Sequence, residues 1–190
     1  MVRSLVRALA IVVIAAAVLV VLDFSELLVP AHPGDADMAD TIPACDGRVL
    51  AQGFTYRLVD PEPGQVVAVR AAVTDEGETL PDPDADDRTL VLRVAAGPGD
   101  VIVARQGAVF VNEIKLDDLE TEPFGPVTVP NEQYFLLGDN RAAAVDSRTF
   151  GPVLESAIYA RVFMVFWPLR ELTFRLGQGS GASPGAIACD

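Results

Sequence analysis

Residues 138–151 read Gly-Asp-Asn-Arg-Ala-Ala-Ala-Val-Asp-Ser-Arg-Thr-Phe-Gly, and this stretch is the most distinctive in the chain. Two aspartates and two arginines alternate along it, at Asp139, Arg141, Asp146 and Arg148. Carboxylates and guanidinium groups form short, charge-assisted hydrogen bonds, so these side chains predict a polar network that fixes the loops around a site. Ser147 adds a hydroxyl to that network.

Outward from this stretch, the chain alternates short β-prone runs with turn residues. Seven runs are rich in β-branched and other apolar residues, at 48–51, 65–69, 89–94, 101–103, 109–111, 133–137 and 160–166. Between them stand Pro, Gly and Asp, which favour turns. No segment after residue 30 keeps the apolar period of about 3.6 residues that marks a helix. The pattern therefore predicts an all-β domain over residues 30–176.

Two segments depart from the strand pattern. Residues 74–88 carry seven acidic side chains and two prolines with few apolar residues, which predicts a solvated loop between strands. Their spacing does not match an EF-hand calcium loop. Residues 177–190 are rich in Gly, Ser and Ala and predict a flexible tail.

The N-terminal segment predicts a membrane anchor. Residues 8–22 are uninterrupted apolar, and the segment 5–22 approaches the length of about 20 residues that spans a bilayer. Basic residues precede the run and acidic residues follow it, at Arg3, Arg7, Asp23 and Glu26. This asymmetry predicts a cytoplasmic start and an anchor over residues 1–29, with the β domain on the extracytoplasmic side of the cell membrane.

A cleaved secretory signal is the alternative interpretation of the same segment. The only nearby small-x-small candidate is Val29-Pro30-Ala31, which lies well beyond the apolar run and contains proline. The sequence therefore favours an uncleaved anchor, and under both interpretations the domain is exported.

Composition narrows the possible partners and catalysts. The net charge is −13, with 27 acidic against 14 basic residues, and such a surface repels nucleic-acid phosphates. Lys115 is the only lysine and His32 the only histidine. Few side chains are therefore available as a general base.

The two cysteines do not indicate a metal or cofactor site. Cys45 and Cys189 stand far apart and form no Cys-x-x-Cys pair, so no metal and no cofactor is expected. Outside the cytoplasm they could pair as a disulfide; two separate thiols are the other possibility, and spacing does not decide between them.

Three blocks, in the same order and with plausible spacing, resemble the type I signal peptidases, membrane-anchored Ser/Lys proteases. The strongest is the stretch 138–151, with Gly-Asp-Asn-Arg, four residues, then Asp-Ser-Arg-x-Phe-Gly. The resemblance implies that this block supports the active site, and it implies scaffold roles for Gly138, Asp139, Asn140, Arg141, Asp146, Ser147 and Arg148.

The other two blocks are similar to the parts of that family which carry the nucleophile and the base. The middle block, residues 92–100, is similar to Lys-Arg-Val-x-x-x-Pro-Gly-Asp, with Arg93, Pro98, Gly99 and Asp100 in place. The first block, residues 37–42, is similar to Ser-Met-x-Pro-Thr-Ile/Leu, with Met38 retained. The resemblance implies a signal-peptidase-like β domain behind one transmembrane helix.

The residues that the resemblance would make catalytic are replaced. The nucleophile position holds Asp37, the general-base position Leu92, the oxyanion position Asp35 and the position of the lysine-steadying hydroxyl Ala144. Leucine accepts no proton, aspartate has no hydroxyl, and an ionised Asp35 would repel an oxyanion that needs a donor. The pattern predicts a pseudoenzyme with no catalytic residues in working order.

Three functional hypotheses follow. The first is an inactive signal-peptidase-like protein that holds extended peptides, a signal-peptide-bearing protein or another partner at a sheet edge. The second is an active signal peptidase rescued by His32, Asp37 or Lys115. The third is an acidic exported module that binds cations or basic peptides through Asp35, Asp37, Asp40 and Asp46.

Overall fold

Two antiparallel sheets make up most of the described chain. The computed structural model describes residues 28–30, 36–42, 48–53, 56, 59–85 and 88–167. Its strands are β1 Leu28–Pro30, β2 Arg48–Gln52, β3 Val66–Val73, β4 Thr79–Pro81, β5 Arg88–Ala96, β6 Val101–Arg105, β7 Ala108–Val111, β8 Ile114–Lys115, β9 Phe124–Thr128, β10 Gln133–Leu137, β11 Val153–Leu154 and β12 Ile158–Trp167. The helical pieces are α1 Ser147–Phe150 and the 3₁₀ turns Ala36–Met38 and Glu155–Ala157.

The larger sheet has the order β1-β2-β12-β3-β5-β10-β11, and β4 pairs with the end of β3. The smaller sheet has the order β8-β7-β6-β9. β5 pairs with β3 along residues 88–93 but meets β10 only from Arg93 to Ala96. In the described part of the chain, therefore, no strand pairs with residues 88–92 on the side away from β3.

The central strands are apolar at nearly every position because both faces of the larger sheet are covered. Successive side chains of a strand point to opposite faces. Val66 and Ala68 of β3 accordingly pack in one buried cluster with Met38, whereas Val67 and Val69 pack in another with Leu92. A third cluster joins β10 to the smaller sheet and contains Ala95, Ala96, Ile102, Ala104, Val109, Val129, Phe135 and Leu137.

The structure confirms the predicted mostly-β class and all seven predicted strands. Among the described residues, α1 is the only α-helix, and it is four residues long. The prediction of a strandless loop over residues 74–88 was wrong in part, because β4 lies within it and pairs with β3. A turn with Gly77 at φ 83° reverses the chain between the two strands.

β8, β9 and β11 were not predicted. β8 and β11 are two residues each, too short to show alternation. β9 contains Gly125 and Pro126, which indicated a turn. It lies at the edge of its sheet, where a strand tolerates a residue that cannot donate a hydrogen bond.

Several predicted features lie outside the described residues. These are the apolar run 5–22, His32, Asp35, Cys45, Asp46, Cys189 and the tail 177–190. Within the described ranges, no helix combines the length and the apolar character that a bilayer crossing requires. β1 begins at Leu28, so the sheet includes the last two residues of the segment assigned to the anchor.

Candidate functional site

The turn that contains Asp37, the residue that the resemblance assigns to the nucleophile position, is anchored in the core by two buried apolar side chains. The chain folds back after Ala36–Met38 through hydrogen bonds from the amides of Thr41 and Ile42 to the carbonyl of Met38, at 2.8 and 2.7 Å. Met38 and Ile42 are each 3% exposed and pack in one core cluster. This packing fixes where Asp37 lies.

Asp37 joins this turn to the loop that follows β10. Its main-chain carbonyl accepts a hydrogen bond from the Asn140 amide at 2.9 Å, and its Oδ1 accepts one from the Val145 amide at 3.0 Å. The residue is 9% exposed. Through its main-chain carbonyl and its carboxylate, Asp37 thus accepts two main-chain hydrogen bonds and connects the two loops.

Gly138 permits this close approach. A Cβ added at Gly138 would lie 2.6 Å from the carbonyl oxygen of Asp37 and 2.3 Å from the Cβ of Ala144. Both distances are far below van der Waals contact, and one neighbour is main chain that cannot swing away. Asp37 and Ala144, which the resemblance assigns to the nucleophile and to the lysine-steadying hydroxyl, therefore meet at this glycine.

We expect Gly138→Ala to lower the free energy of unfolding by about 2–3 kcal/mol, because overpacking a closed contact forces the main chain to move. Urea unfolding followed by circular dichroism measures the change. Gly125→Ala is the matched control, since a Cβ there meets no atom within 4 Å. An equal and small effect of both substitutions would contradict the close contact.

Leu92 occupies the base position as an ordinary core residue. It is 0% exposed and packs with Leu136, Val153 and Ile158. It lies on the same face of β5 as Leu90, which lines the cavity beside Asp37. Leu92 itself does not line that cavity, and its side chain has no acid–base chemistry.

Arg93, on the opposite face of β5, forms a buried ion pair with Asp139. Nε and Nη2 of Arg93 donate to the two carboxylate oxygens of Asp139 at 2.7 and 2.6 Å, and Nη1 donates to the carbonyl of Gly64 at 2.8 Å. Asp139 also accepts a hydrogen bond from the Thr41 hydroxyl. This bidentate pair ties the middle block to the last block and to the Asp37 turn.

Asp146 and Arg148 form a second ion pair within the last block. Nε and Nη2 of Arg148 donate to the Asp146 carboxylate at 2.8 and 2.9 Å, and the same carboxylate accepts from the Gly138 amide at 3.0 Å. Asp146 also caps α1 by accepting from the Arg148 amide. Ser147 accepts a hydrogen bond from the Leu136 amide at 2.9 Å.

Arg141 uses partners that the sequence analysis did not identify. Its guanidinium donates to the Thr121 hydroxyl at 2.8 Å, to the Asp117 carboxylate at 2.5 Å and to the carbonyl of Gly138 at 2.8 Å. Asp117 and Thr121 lie between β8 and β9, where no sequence pattern distinguishes them from other loop residues. The predicted charged stretch therefore divides into three sets of contacts with different parts of the chain.

Pro98, Gly99 and Asp100 form the turn from β5 into β6. Gly99 has a φ of 84°, a conformation that favours glycine. Asp100 accepts hydrogen bonds from the Gly97 amide at 2.9 Å and from the Asn112 side chain at 2.7 Å. This turn connects the two sheets, and its residues act on the site only by fixing the end of β5.

A cavity of about 440 Å³ lies beside Asp37. Its walls come from the β3–β4 hairpin, from β5 and from the loop after β10; they are Asp37, Gly77, Glu78, Thr79, Leu80, Arg88, Leu90, Ala143, Val145 and Thr149. Leu80 and Val145 are 38% and 45% exposed. The cavity has apolar residues at its rim and contains two carboxylates and one guanidinium. It lies beside residues 88–92 of β5, which on the side away from β3 pair with no strand of the described ranges.

The other candidate residues lie apart from this cavity or outside the described ranges. Lys115 is in β8 of the smaller sheet, where its ammonium donates to Asp118 at 2.5 Å and lowers the pKa of that carboxyl. Asp40 is exposed. In the part of the chain that the structure describes, no three His, Cys, Asp or Glu side chains are arranged to hold a metal ion.

A second cavity, of about 570 Å³, has a different character. Tyr56, Arg70, Glu132, Glu155 and Tyr159 are among its lining residues. Burial, helped by the nearby carboxylates of Asp60 and Glu132, raises the pKa of Glu155. The titratable side chains described in this cavity are therefore carboxylates, tyrosines and an arginine, with no lysine or histidine among the described lining residues.

Comparison with known proteins finds similarity to signal peptidases. The family model described as "Signal peptidase, peptidase S26" matches residues 2–167. A probable signal peptidase I-2 of Synechocystis sp. is 34% identical over 127 residues, which cover 64% of this chain and 56% of that protein. Thylakoidal processing peptidase 1, chloroplastic, of Arabidopsis thaliana is 27% identical over 168 residues, which cover 83% of this chain and 48% of that protein.

Among solved structures, a signal peptidase I from Enterococcus faecalis V583 matches with a TM-score of 0.42 and 22% sequence identity. The match covers 54% of this chain and 97% of that chain. The chain spans about half the length of the relatives from Synechocystis and Arabidopsis.

Proposed function

Because this chain belongs to the peptidase S26 family of signal peptidases, we propose that it is a non-catalytic member which binds extended segments of exported polypeptides. In this proposal it is anchored in the cell membrane through residues 5–22, with the β domain on the extracytoplasmic side. Its partners are extended peptides or proteins that carry a signal peptide.

The observation that carries the proposal is the chemistry at the nucleophile position. Asp37 has no hydroxyl, and its carboxylate accepts the Val145 amide at 3.0 Å. Leu92, at the base position, is buried among apolar side chains. A Ser/Lys mechanism requires a hydroxyl, a desolvated lysine to deprotonate it, and donors that stabilise the oxyanion. These two positions supply neither the hydroxyl nor the base.

The position of Lys115 gives no support to a rescued enzyme. It is the only lysine of the chain. It lies in β8 of the smaller sheet, in an exposed ion pair with Asp118, and does not line the cavity beside Asp37. A working base would therefore have to come from another type of side chain.

The features retained around Asp37 favour binding. Residues 88–92 of β5 pair with β3 on one side only, within the described chain. A strand with one unpaired side can accept an extended peptide, whose main chain then adds to the sheet while alternate side chains enter adjacent pockets. The 440 Å³ cavity beside Asp37 and Leu90 is placed to receive such side chains.

We expect the full chain in detergent to bind a labelled secretory-precursor peptide, and we expect Val145→Trp to weaken this binding at least about tenfold by filling the cavity mouth. Fluorescence anisotropy measures both affinities. Val145 is 45% exposed, so the larger side chain does not have to enter the core.

Val101→Trp is the matched control, because Val101 is 38% exposed but lies in β6 of the smaller sheet. It should leave the affinity unchanged. Equal binding by both variants would place the peptide elsewhere on the surface, and the absence of binding by the parent chain at high peptide concentration would reject the proposed function.

A further inference from the structure

The chain itself contains a segment of the kind that the proposed groove would accept. Between Trp167 and Asp190 there are three alanines, and two of them form Ala186-Ile187-Ala188, directly after Pro184-Gly185. An Ala-x-Ala pattern of small residues is the feature that marks the processing end of secretory signal peptides. The C-terminal segment therefore carries the same pattern as an exported polypeptide.

We propose that residues 184–189 bind, as an extended strand, to the groove formed by residues 88–92 of β5 and the cavity beside Asp37. This inference rests on the proposed function, since it uses the same groove. It names one occupant, the chain's own C-terminal segment, which then competes with exported peptides and regulates access to the site.

The chain is long enough for this contact. Eighteen residues separate Trp167, the last residue of β12, from Ala186. A fully extended chain of that length spans at most about 65 Å. A domain of this size has a radius of gyration of about 14 Å, so the segment can reach any point on its surface.

The chemistry of the segment suits the walls of the cavity. Residues 177–189 contain no charged side chain, so the bound segment itself adds no charge next to Asp37, Glu78 or Arg88; the nearest charged side chain is Asp190, directly after it. The apolar lining residues Leu80, Leu90 and Val145 can contact the two alanine methyl groups. Small side chains need no rearrangement of these walls, whereas a bulky side chain would have to displace them.

Because the segment and the groove belong to one chain, even weak intrinsic binding is enough to occupy the groove. A tethered segment experiences an effective concentration in the millimolar range, so a millimolar intrinsic affinity is enough to occupy the groove for about half of the time. When only a fraction of the molecules has a free groove, the apparent affinity for an exported peptide falls to that fraction of its intrinsic value. Removing the competition should therefore strengthen peptide binding by about two- to tenfold.

The test uses the full chain with Cys45→Ser and Cys189→Ser, so that no disulfide can contribute. In this background Ala186→Trp plus Ala188→Trp should increase the affinity for the labelled precursor peptide by about two- to tenfold. Ser180→Trp plus Ala182→Trp is the matched control, with the same spacing in the same segment, and should leave the affinity unchanged. Equal affinities in all chains would overturn the inference while leaving the proposed function intact.

A second measurement does not depend on exported peptides. A photo-crosslinking amino acid in place of Ile187 should form intramolecular crosslinks to the cavity walls, at residues 79–90 or 143–149, and Val145→Trp should suppress them. Crosslinks only elsewhere, or only between two chains, would overturn the inference. If the crosslinks form and no precursor peptide binds to any variant, the self-contact stands and the proposed function fails.

Discussion

Cleavage of a secretory precursor is expected to appear when four residues are changed together: Asp35→Ser, Asp37→Ser, Leu92→Lys and Ala144→Ser. The parent chain is expected to show no cleavage above background. These substitutions supply the hydroxyl, the base, an oxyanion donor and the hydroxyl that steadies the base, which the family resemblance places at these positions. We expect a gain of about 10²–10³-fold over the parent chain, which appears only when nucleophile, base and oxyanion donor are present together, because such groups act as a unit.

The lysine at position 92 determines whether this gain is reached. Leu92 is 0% exposed, so an ammonium group there would be desolvated and its pKa lowered, which is the state that a neutral general base requires. Burying the charge of the introduced lysine also lowers the free energy of unfolding of the variant. Circular dichroism must therefore establish that the fourfold variant is folded before its activity is measured.

The matched control is the threefold variant that keeps Leu92. It contains the new hydroxyls but no base, and it should remain at the level of the parent chain. Cleavage by the parent chain would contradict the non-catalytic proposal and direct the search for a base to His32 and the aspartates. A folded fourfold variant without activity would show that the scaffold no longer holds catalytic geometry.

The strands could be predicted because their apolar runs are long enough to show their character. β3 is a single run of valine and alanine, interrupted only by Arg70, and both of its faces are buried in the structure. β4 could not be predicted, because Thr79–Pro81 is three residues long within an acidic segment and forms only because β3 extends to Val73. The pairing of β4 depends on the neighbouring strand β3, and the composition of residues 79–81 does not indicate that partner.

The sequence named residues for the candidate site but did not predict which of them contact one another. The sequence singled out Asp139 and Arg141 as members of one network, whereas the structure pairs Asp139 with Arg93 and Arg141 with Asp117. Which carboxylate pairs with which guanidinium depends on the register between strands that are far apart in the sequence. Likewise, no local pattern predicts that the Asp37 carboxylate accepts the Val145 amide, a contact between two loops far apart in sequence.

Asp139→Ala is expected to lower the free energy of unfolding by about 3–5 kcal/mol. The substitution takes from Arg93, a residue 9% exposed, the carboxylate that accepts two of its hydrogen bonds, and removing one partner of a buried ion pair has about this effect. It also removes the acceptor of the Thr41 hydroxyl. Because domains of this size are stable by about 5–15 kcal/mol, urea unfolding should show a large shift of the midpoint.

Two further variants separate the roles of the pair. Asp118→Ala breaks the exposed pair with Lys115, whose side chains are 48% and 96% exposed, and should leave the midpoint unchanged. Arg93→Met plus Asp139→Leu removes both buried charges and should recover part of the loss, because an apolar pair needs no desolvation. A stability effect of this size would explain why the chain contains Arg93 and Asp139: the pair holds the loops beside the groove. A negligible effect of Asp139→Ala would contradict this explanation.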